Sequence, residues 1–234
     1  MKFSVKEIYP KVFVLIFDSR YDLCMSFVRI QEFYESPKFR NKYFELEEYM
    51  DWWAKEYGNG SFDYPSRWSG FNIPGQVISK WINKVDQHEG LYRAKERQIL
   101  NGILKLLDKD ATFFGDEESI NLFKTTYVIG LHKENQIISH EALNHEMSHA
   151  FYTLYLDYRK ASNSLLAKIP KQKLMSAEAK LLKMGYNSKV IKDELQAYFS
   201  TTENECEDWR YLWKRKEFVD NFQNFKDSLE KKAE

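Results

Sequence analysis

Apolar residues near the amino terminus form two runs separated by a polar break. Residues 11–17 are rich in Val, Ile and Phe, a composition typical of a buried strand. Residues 23–30 form the second run, after the polar segment 18–22. The simplest interpretation is a β-hairpin made of the two runs, although a helix that starts at Leu23 fits the same pattern.

Helical periodicity dominates the following part of the chain. A helix is predicted over residues 44–57, ending at Gly58, and further helices over 74–85 and 89–107. Residues 61–75 combine four aromatic side chains with Pro and Gly. We interpret this segment as a loop that its aromatic side chains hold against the core, with a wall of a substrate cleft as the alternative.

The second half of the chain begins with a strand and continues with helices. Residues 125–132 are β-branched and aromatic, with apolar side chains at alternate positions, which predicts a strand. A turn at 133–136 leads into a helix for which Ser139 and Asn135 are the N-cap candidates. Further helices are predicted over residues 170–185, 188–201 and 206–231.

Length and composition favour one folded unit with two lobes. The chain has 234 residues, of which 43% are hydrophobic, enough for a sizeable core. With the element pattern, this predicts a predominantly helical α+β fold with an unassigned N-terminal lobe at 1–117 and a second region at 118–234. The 35 basic and 35 acidic residues give a formal net charge of +0, so no nucleic-acid partner is expected.

Cysteine content and the amino terminus bear on the compartment. Cys24 and Cys206 are the two cysteines of the chain, too few for a disulfide framework. The first residues lack the apolar core of a signal peptide, and the apolar run 12–17 is too short to span a bilayer. We therefore expect a cytoplasmic protein without a membrane span. No pattern indicates the oligomeric state.

Candidate chemistry is concentrated at His145-Glu146-Met147-Ser148-His149, an H-E-x-x-H pattern. On a helix, residues four apart lie one turn apart and within about 40° of each other, so both imidazoles can bind one metal ion. Glu146 lies beside that position, where its carboxylate can accept a proton from a water molecule. A group of apolar residues lies on the opposite side of the helix and can face a core: Leu143, Met147, Ala150 and Leu154.

A catalytic zinc site needs a third protein ligand. The third histidine of a metzincin site is missing, since Tyr155 stands where it would be required. Glu194 is the preferred candidate, because on a helix it shares a face with small or apolar residues and lies 44 residues beyond His149 (194 − 149 − 1 = 44). Glu178 is the second candidate, followed by Glu203, Glu205 and Asp157.

The two histidines and Glu146 on one helix, with Glu194 on a later one, resemble the gluzincin arrangement of the zincin metallopeptidases. The resemblance covers residues 125–202. It implies a zincin-like fold in which the strand 125–132 forms a sheet edge above the active-site helix and binds substrate backbone. It also implies that His145, His149 and Glu194 bind Zn²⁺ and that Glu146 is the general base of peptide-bond hydrolysis.

One position departs from that family pattern. Many gluzincins have an Asp four residues after the Glu ligand to support a His ligand, and this chain has Tyr198 there. Asp193 is one candidate for the supporting carboxylate. For the stabilisation of an oxyanion or the binding of substrate, the candidates are Tyr198, Tyr152 and His132.

Three other functions fit parts of the pattern. A deformylase also uses H-E-x-x-H, but its Glu-Gly-Cys loop is absent from this sequence. A zincin-like module that binds metal without catalysis, as a sensor or interaction protein, would have the same ligands. A helical interaction protein with a chance motif would bind no stoichiometric metal. We expect a metallopeptidase with a peptide or protein substrate, and the sequence indicates neither the cleavage specificity nor the biological process.

Overall fold

The computed structural model describes residues 1–68, 70–108, 117–134, 137–183, 188–201 and 215–233. The chain divides into two compact units, Met1–Ser139 and His140–Glu234. This boundary lies later than the predicted one at 117/118. The predicted boundary was too early, because residues 117–132 form a helix and a strand that pack within the N-terminal unit.

The N-terminal unit combines a small sheet with several helices. Its elements in chain order are β1 (Phe3–Tyr9), β2 (Val12–Phe17), α1 (Arg20–Glu35), α2 (Leu46–Glu56), α3 (Tyr64–Arg67), β3 (Gly70–Pro74), α4 (Gly75–Asp86), α5 (Ala94–Leu107), α6 (Glu117–Phe123) and β4 (Tyr127–His132). The sheet is mixed and has the order β1-β2-β4-β3. The predicted α+β class, with helix predominant, is confirmed.

The first predicted hairpin is half right. The run 11–17 is the buried strand β2, but it pairs with β1, and the second run is helix α1. Ser19 caps this helix by accepting a hydrogen bond from the Asp22 backbone N–H. Leu23, Phe27 and Ile30 are buried at helical spacing, so the face they share packs on the sheet.

Strand β4 lies inside the sheet, parallel to β2 and antiparallel to β3. The prediction that 125–132 forms a sheet edge is therefore wrong. Its residues Tyr127–Leu131 are all buried, as expected of a strand paired on both sides and covered by a helix. At Gly130 an added Cβ would come within 2.8 Å of the side chains of Leu23 and Phe27. The absence of a side chain at Gly130 therefore allows α1 to pack closely on β4.

The aromatic segment 61–75 is more regular than predicted. It contains the short helix α3 and the edge strand β3, both missed because each has five residues or fewer. Tyr64 and Phe71 are buried in the core of the unit, which supports the interpretation that aromatic side chains hold the segment in place. Ser69 lies outside the described residues.

A buried carboxyl group makes the stability of this unit dependent on pH. Burial raises the pKa of Glu32 to about 7, although its hydrogen bond from the Tyr64 hydroxyl, at 2.8 Å, acts in the opposite direction. Between the ordinary pKa and this value, the folded state holds a proton that the unfolded state has lost. The contribution of Glu32 to stability therefore falls as the pH rises from about 4.5 to 7 and is constant above that range.

Replacing Glu32 by Gln removes the cost of ionising the buried group. The variant is expected to be more stable than the wild type at pH 8 by about 3 kcal/mol, and to show no such gain at pH 4.5. Urea denaturation at both pH values measures the difference. Glu48→Gln, at an exposed position of α2, is the control and should follow the wild type. Equal stabilities of Glu32→Gln and wild type at pH 8 would contradict the prediction.

The described residues of the C-terminal unit form helices joined by short connections. It contains α7 (His140–Leu154), α8 (Leu156–Ala167), α9 (Lys171–Lys183), α10 (Ile191–Thr201) and α11 (Arg215–Ala233). The predicted helices are thus found, with Ser139 directly before α7. Three predicted features lie outside the described residues: the Asn135 cap, Gly185 at the end of a helix, and the segment 206–214.

Helix α10 packs against α7, α8, α9 and α11. Its residues Leu195 and Phe199 join a buried cluster with α9 and α11. On α7, Met147 and Ala150 are buried and Leu143 and Leu154 half-buried, so the predicted apolar side does face the core. Within the described part of the chain, no helix combines the length and the apolar character needed to cross a bilayer.

Candidate metal centre

Helix α7 brings the two motif histidines together. The Nε2 atoms of His145 and His149 are 3.3 Å apart, and their rings are nearly perpendicular, at 80°. Two nitrogens held this close by one helical turn can bind one ion without any change in the backbone. The helical spacing read from the sequence is therefore realised in the side chains.

Helix α10 supplies a carboxylate to the same point. Glu194 Oε2 lies 3.7 Å from His149 Nε2, and the potential ligand atoms of His145, His149 and Glu194 all lie within 4.8 Å of one another. Glu194 is only 9% exposed, whereas a glutamate without a structural role is usually solvated. Because α10 packs directly on α7, the fold itself holds this acid against the histidines.

The spacing of these atoms fits a small tetrahedral ion. With metal–nitrogen bonds of about 2.0–2.1 Å, two tetrahedral ligands lie about 3.3–3.4 Å apart. The Nε2–Nε2 distance of 3.3 Å agrees with that value. The 3.7 Å distance from Glu194 Oε2 to His149 Nε2 is longer than the tetrahedral value by about 0.3 Å.

Each histidine is oriented through its other ring nitrogen. His149 Nδ1 lies 2.9 Å from Asp193 Oδ1, so it donates a hydrogen bond to the carboxylate. His145 Nδ1 lies 3.4 Å from Thr201 Oγ1, whose own proton is donated to the Ala197 carbonyl at 2.8 Å. Both Nδ1 atoms thus face acceptors, which leaves both Nε2 atoms directed at the shared position.

Charge and burial shift the pKa values of the two histidines in opposite directions. Burial, together with the charge of the neighbouring His149, lowers the pKa of His145 to about 3. Burial also acts to lower the pKa of His149, but the negative charges of Asp193, Glu194 and Glu146 outweigh it and raise this pKa to about 10. A proton held between the two Nε2 atoms must leave when a metal ion binds there, as at metal sites in general.

Glu146 stands beside the site but outside the ligand group. It is half-buried on α7, one residue after His145, and its charge is among those that act on His149. The predicted general base therefore lies close enough to influence a ligand. The ligand group found in the described residues consists of His145, His149 and Glu194.

The other predicted residues occupy different places. Glu178 is on α9 and does not belong to the ligand group found in the described residues. Tyr198 packs its ring on His145, with 4.9 Å between ring centroids. Tyr152 donates its hydroxyl proton to Asn163 of α8. His132 ends β4 and so belongs to the N-terminal unit.

Two residues of the site were missed by sequence reasoning. Thr201 shares a helical face with Glu194, but its hydrogen bond with His145 gives no sequence signal, because threonine is common at helix ends. Gln196 is completely buried between α7, α8 and α10. The signal that pointed to it was weak: a polar residue two positions after Glu194, in a helix segment that is otherwise apolar.

Comparisons with known proteins give no match: no family model, no curated protein and no solved structure is significantly similar to this chain. The site must therefore be interpreted from its own residues.

Proposed function

We propose that this chain is a zinc-dependent metallopeptidase of the gluzincin type. The observation that carries the proposal is the convergence of His145 Nε2, His149 Nε2 and a Glu194 oxygen on one point, with Glu146 beside it. Each imidazole is also supported through its Nδ1 atom, by Asp193 or by Thr201. Such support is usual where a histidine must present a fixed lone pair to a metal.

Zinc is the ion that this set of ligands favours. Two imidazoles and one carboxylate form one of the ligand sets of catalytic zinc sites, which keep a further position for water or substrate. Calcium and magnesium prefer sites made of oxygen atoms alone, and a structural zinc site would have four protein ligands. We therefore propose Zn²⁺ bound by His145, His149 and Glu194.

The proposed reaction is hydrolysis of a peptide bond in a peptide or protein substrate. When bound, zinc would supply positive charge that acidifies water and polarises the carbonyl group. Glu146 would accept the proton of the attacking water and transfer it to the leaving amine. Of the three oxyanion candidates, we favour Tyr198, because its ring contacts His145 whereas the Tyr152 hydroxyl is directed at Asn163.

The direct test is zinc-dependent cleavage of a diverse peptide library by the purified full chain, read by mass spectrometry. Cleavage that a chelator abolishes and that zinc restores would support the proposal. One zinc ion per chain without any cleavage would favour the alternative, a zincin-like module that binds metal as a sensor or interaction protein. No stoichiometric metal after reconstitution would overturn both.

A second prediction concerns which glutamate, Glu194 or Glu178, is the third zinc ligand. Glu194→Ala is expected to weaken zinc binding by about 10²–10³-fold, because a third of the protein ligands is lost. Glu178→Ala removes the same side chain from another helix of the unit and should bind zinc like the wild type. Competition with a chromogenic chelator measures both affinities. Weak binding by Glu178→Ala together with normal binding by Glu194→Ala would reverse the assignment.

A further inference from the structure

Gln196 joins three helices beneath the candidate metal centre. Its side chain on α10 is completely buried. The amide nitrogen Nε2 lies 3.0 Å from Asp193 Oδ1 and 3.3 Å from the Ser148 carbonyl of α7. Its amide oxygen Oε1 lies 3.0 Å from the hydroxyl of Tyr158 on α8. Donor and acceptor atoms of this amide therefore all have partners.

The chemistry of these partners fixes the orientation of the amide. A carboxylate and a carbonyl can only accept, so the NH₂ group must face Asp193 and Ser148. The Tyr158 phenol keeps its proton, because burial raises its pKa, and it therefore donates to the amide oxygen. A flipped amide would face oxygen to oxygen at two contacts, which is costly in a buried site.

Asp193 Oδ1 receives hydrogen bonds from two sides. The same oxygen accepts from His149 Nδ1, at 2.9 Å, and from Gln196 Nε2, at 3.0 Å. Without the amide, the hydrogen bond from His149 alone among these contacts would hold the Asp193 carboxylate, whose side chain is only partly buried and can rotate toward solvent. His149 would then lose the acceptor that orients its ring.

We propose that Gln196 is a positioning residue: it holds Asp193 as the fixed acceptor of His149 and so directs His149 Nε2 at the metal position. This inference rests on the proposed function, in that the position is taken to bind zinc. It adds a chain of contacts, Tyr158–Gln196–Asp193–His149, that runs from α8 through α10 to α7. Gln196 does not touch the reacting groups and acts only through Asp193.

The test compares Gln196→Met with the wild type in the full chain. Methionine has a similar length but neither donates nor accepts as the amide does, so zinc affinity measured by chelator competition should fall by about 10- to 100-fold. Gln196→Glu retains the acceptor for Tyr158 and replaces the donor by a charge that repels Asp193. It should lose affinity at least as strongly.

A matched control separates positioning from general loss of stability. Phe199→Leu changes a buried apolar residue of the same helix, whose ring packs on Phe218. It should lower the melting temperature of the chain without changing zinc affinity by more than about twofold. If Phe199→Leu lost affinity in proportion to its stability, as Gln196→Met did, the positioning role would be overturned.

A second readout does not require zinc. In chelator-treated protein, the His149 Nδ1–H should give a strongly downfield imidazole proton resonance in NMR spectra because it donates to a carboxylate. This resonance should shift or vanish in Gln196→Met and persist in Phe199→Leu. An unchanged resonance and unchanged zinc affinity in Gln196→Met would overturn the inference while leaving the proposed function intact. A wild-type chain that binds no zinc would instead overturn the proposed function, and the metal-directing role with it.

Discussion

Glu146→Gln is expected to bind zinc like the wild type and to lose nearly all hydrolysis. The substitution keeps the size of the side chain but removes the group that accepts the proton of water, and such general-base contributions are worth at least about 10²–10⁴-fold in rate. Glu146 lies outside the ligand group, so affinity for zinc should change little. Metal content by elemental analysis and kcat/KM on a cleaved peptide give the two measurements.

Glu141→Gln is the matched control for that experiment. It makes the same chemical change on the same helix, at an exposed position in the first turn. It should keep both zinc and activity. Unchanged turnover in zinc-loaded Glu146→Gln would remove Glu146 from its proposed role, while loss of zinc in that variant would make it a ligand.

His149→Ala is expected to have the largest effect on metal binding. Zinc binding of about 10–16 kcal/mol, shared among four ligands, corresponds to about 3–4 kcal/mol for each, or roughly 10²–10³-fold in affinity. The loss should be larger than for Glu194→Ala, because the variant also leaves Asp193 without its imidazole partner. Elemental analysis after dialysis, together with chelator competition, measures the effect.

His140→Ala is the control, since His140 is exposed and begins the same helix. Zinc at a concentration of 100 times the Kd should stabilise the wild type and His140→Ala by about 2.7 kcal/mol and stabilise His149→Ala much less. Full zinc retention by His149→Ala, in a protein with a normal circular dichroism spectrum, would contradict the proposed site.

Local patterns predicted most helices, because the apolar residues on the buried face of an amphipathic helix recur at helical spacing in the sequence. The same signal failed for residues 23–30, where a continuous apolar run fits a strand and a buried helix equally well. It also missed β3, a five-residue strand with only Phe71 and Ile73 buried. Short elements contain too few residues to show a period.

The position of strand β4 within its sheet could not be predicted from local sequence patterns. Its sequence predicted a strand, and the strand is there, but the place of a strand within its sheet depends on partners that are distant in the chain. β4 pairs with β2, more than a hundred residues earlier, through backbone hydrogen bonds that any residues could make. The resemblance to zincins suggested an edge, and nothing local could have corrected it.

The sequence by itself determined that His145 and His149 lie one helical turn apart with Glu146 beside them, because α-helix geometry alone fixes that spacing. Only the tertiary structure decided that Glu194 rather than Glu178 lies near the histidines, that Asp193 and Thr201 contact their Nδ1 atoms, and that Gln196 donates to Asp193. Apart from the Gln196–Asp193 hydrogen bond within α10, these contacts join residues more than forty positions apart in the chain. They arise from the packing of α10 on α7, which depends on the shapes of two whole helix faces.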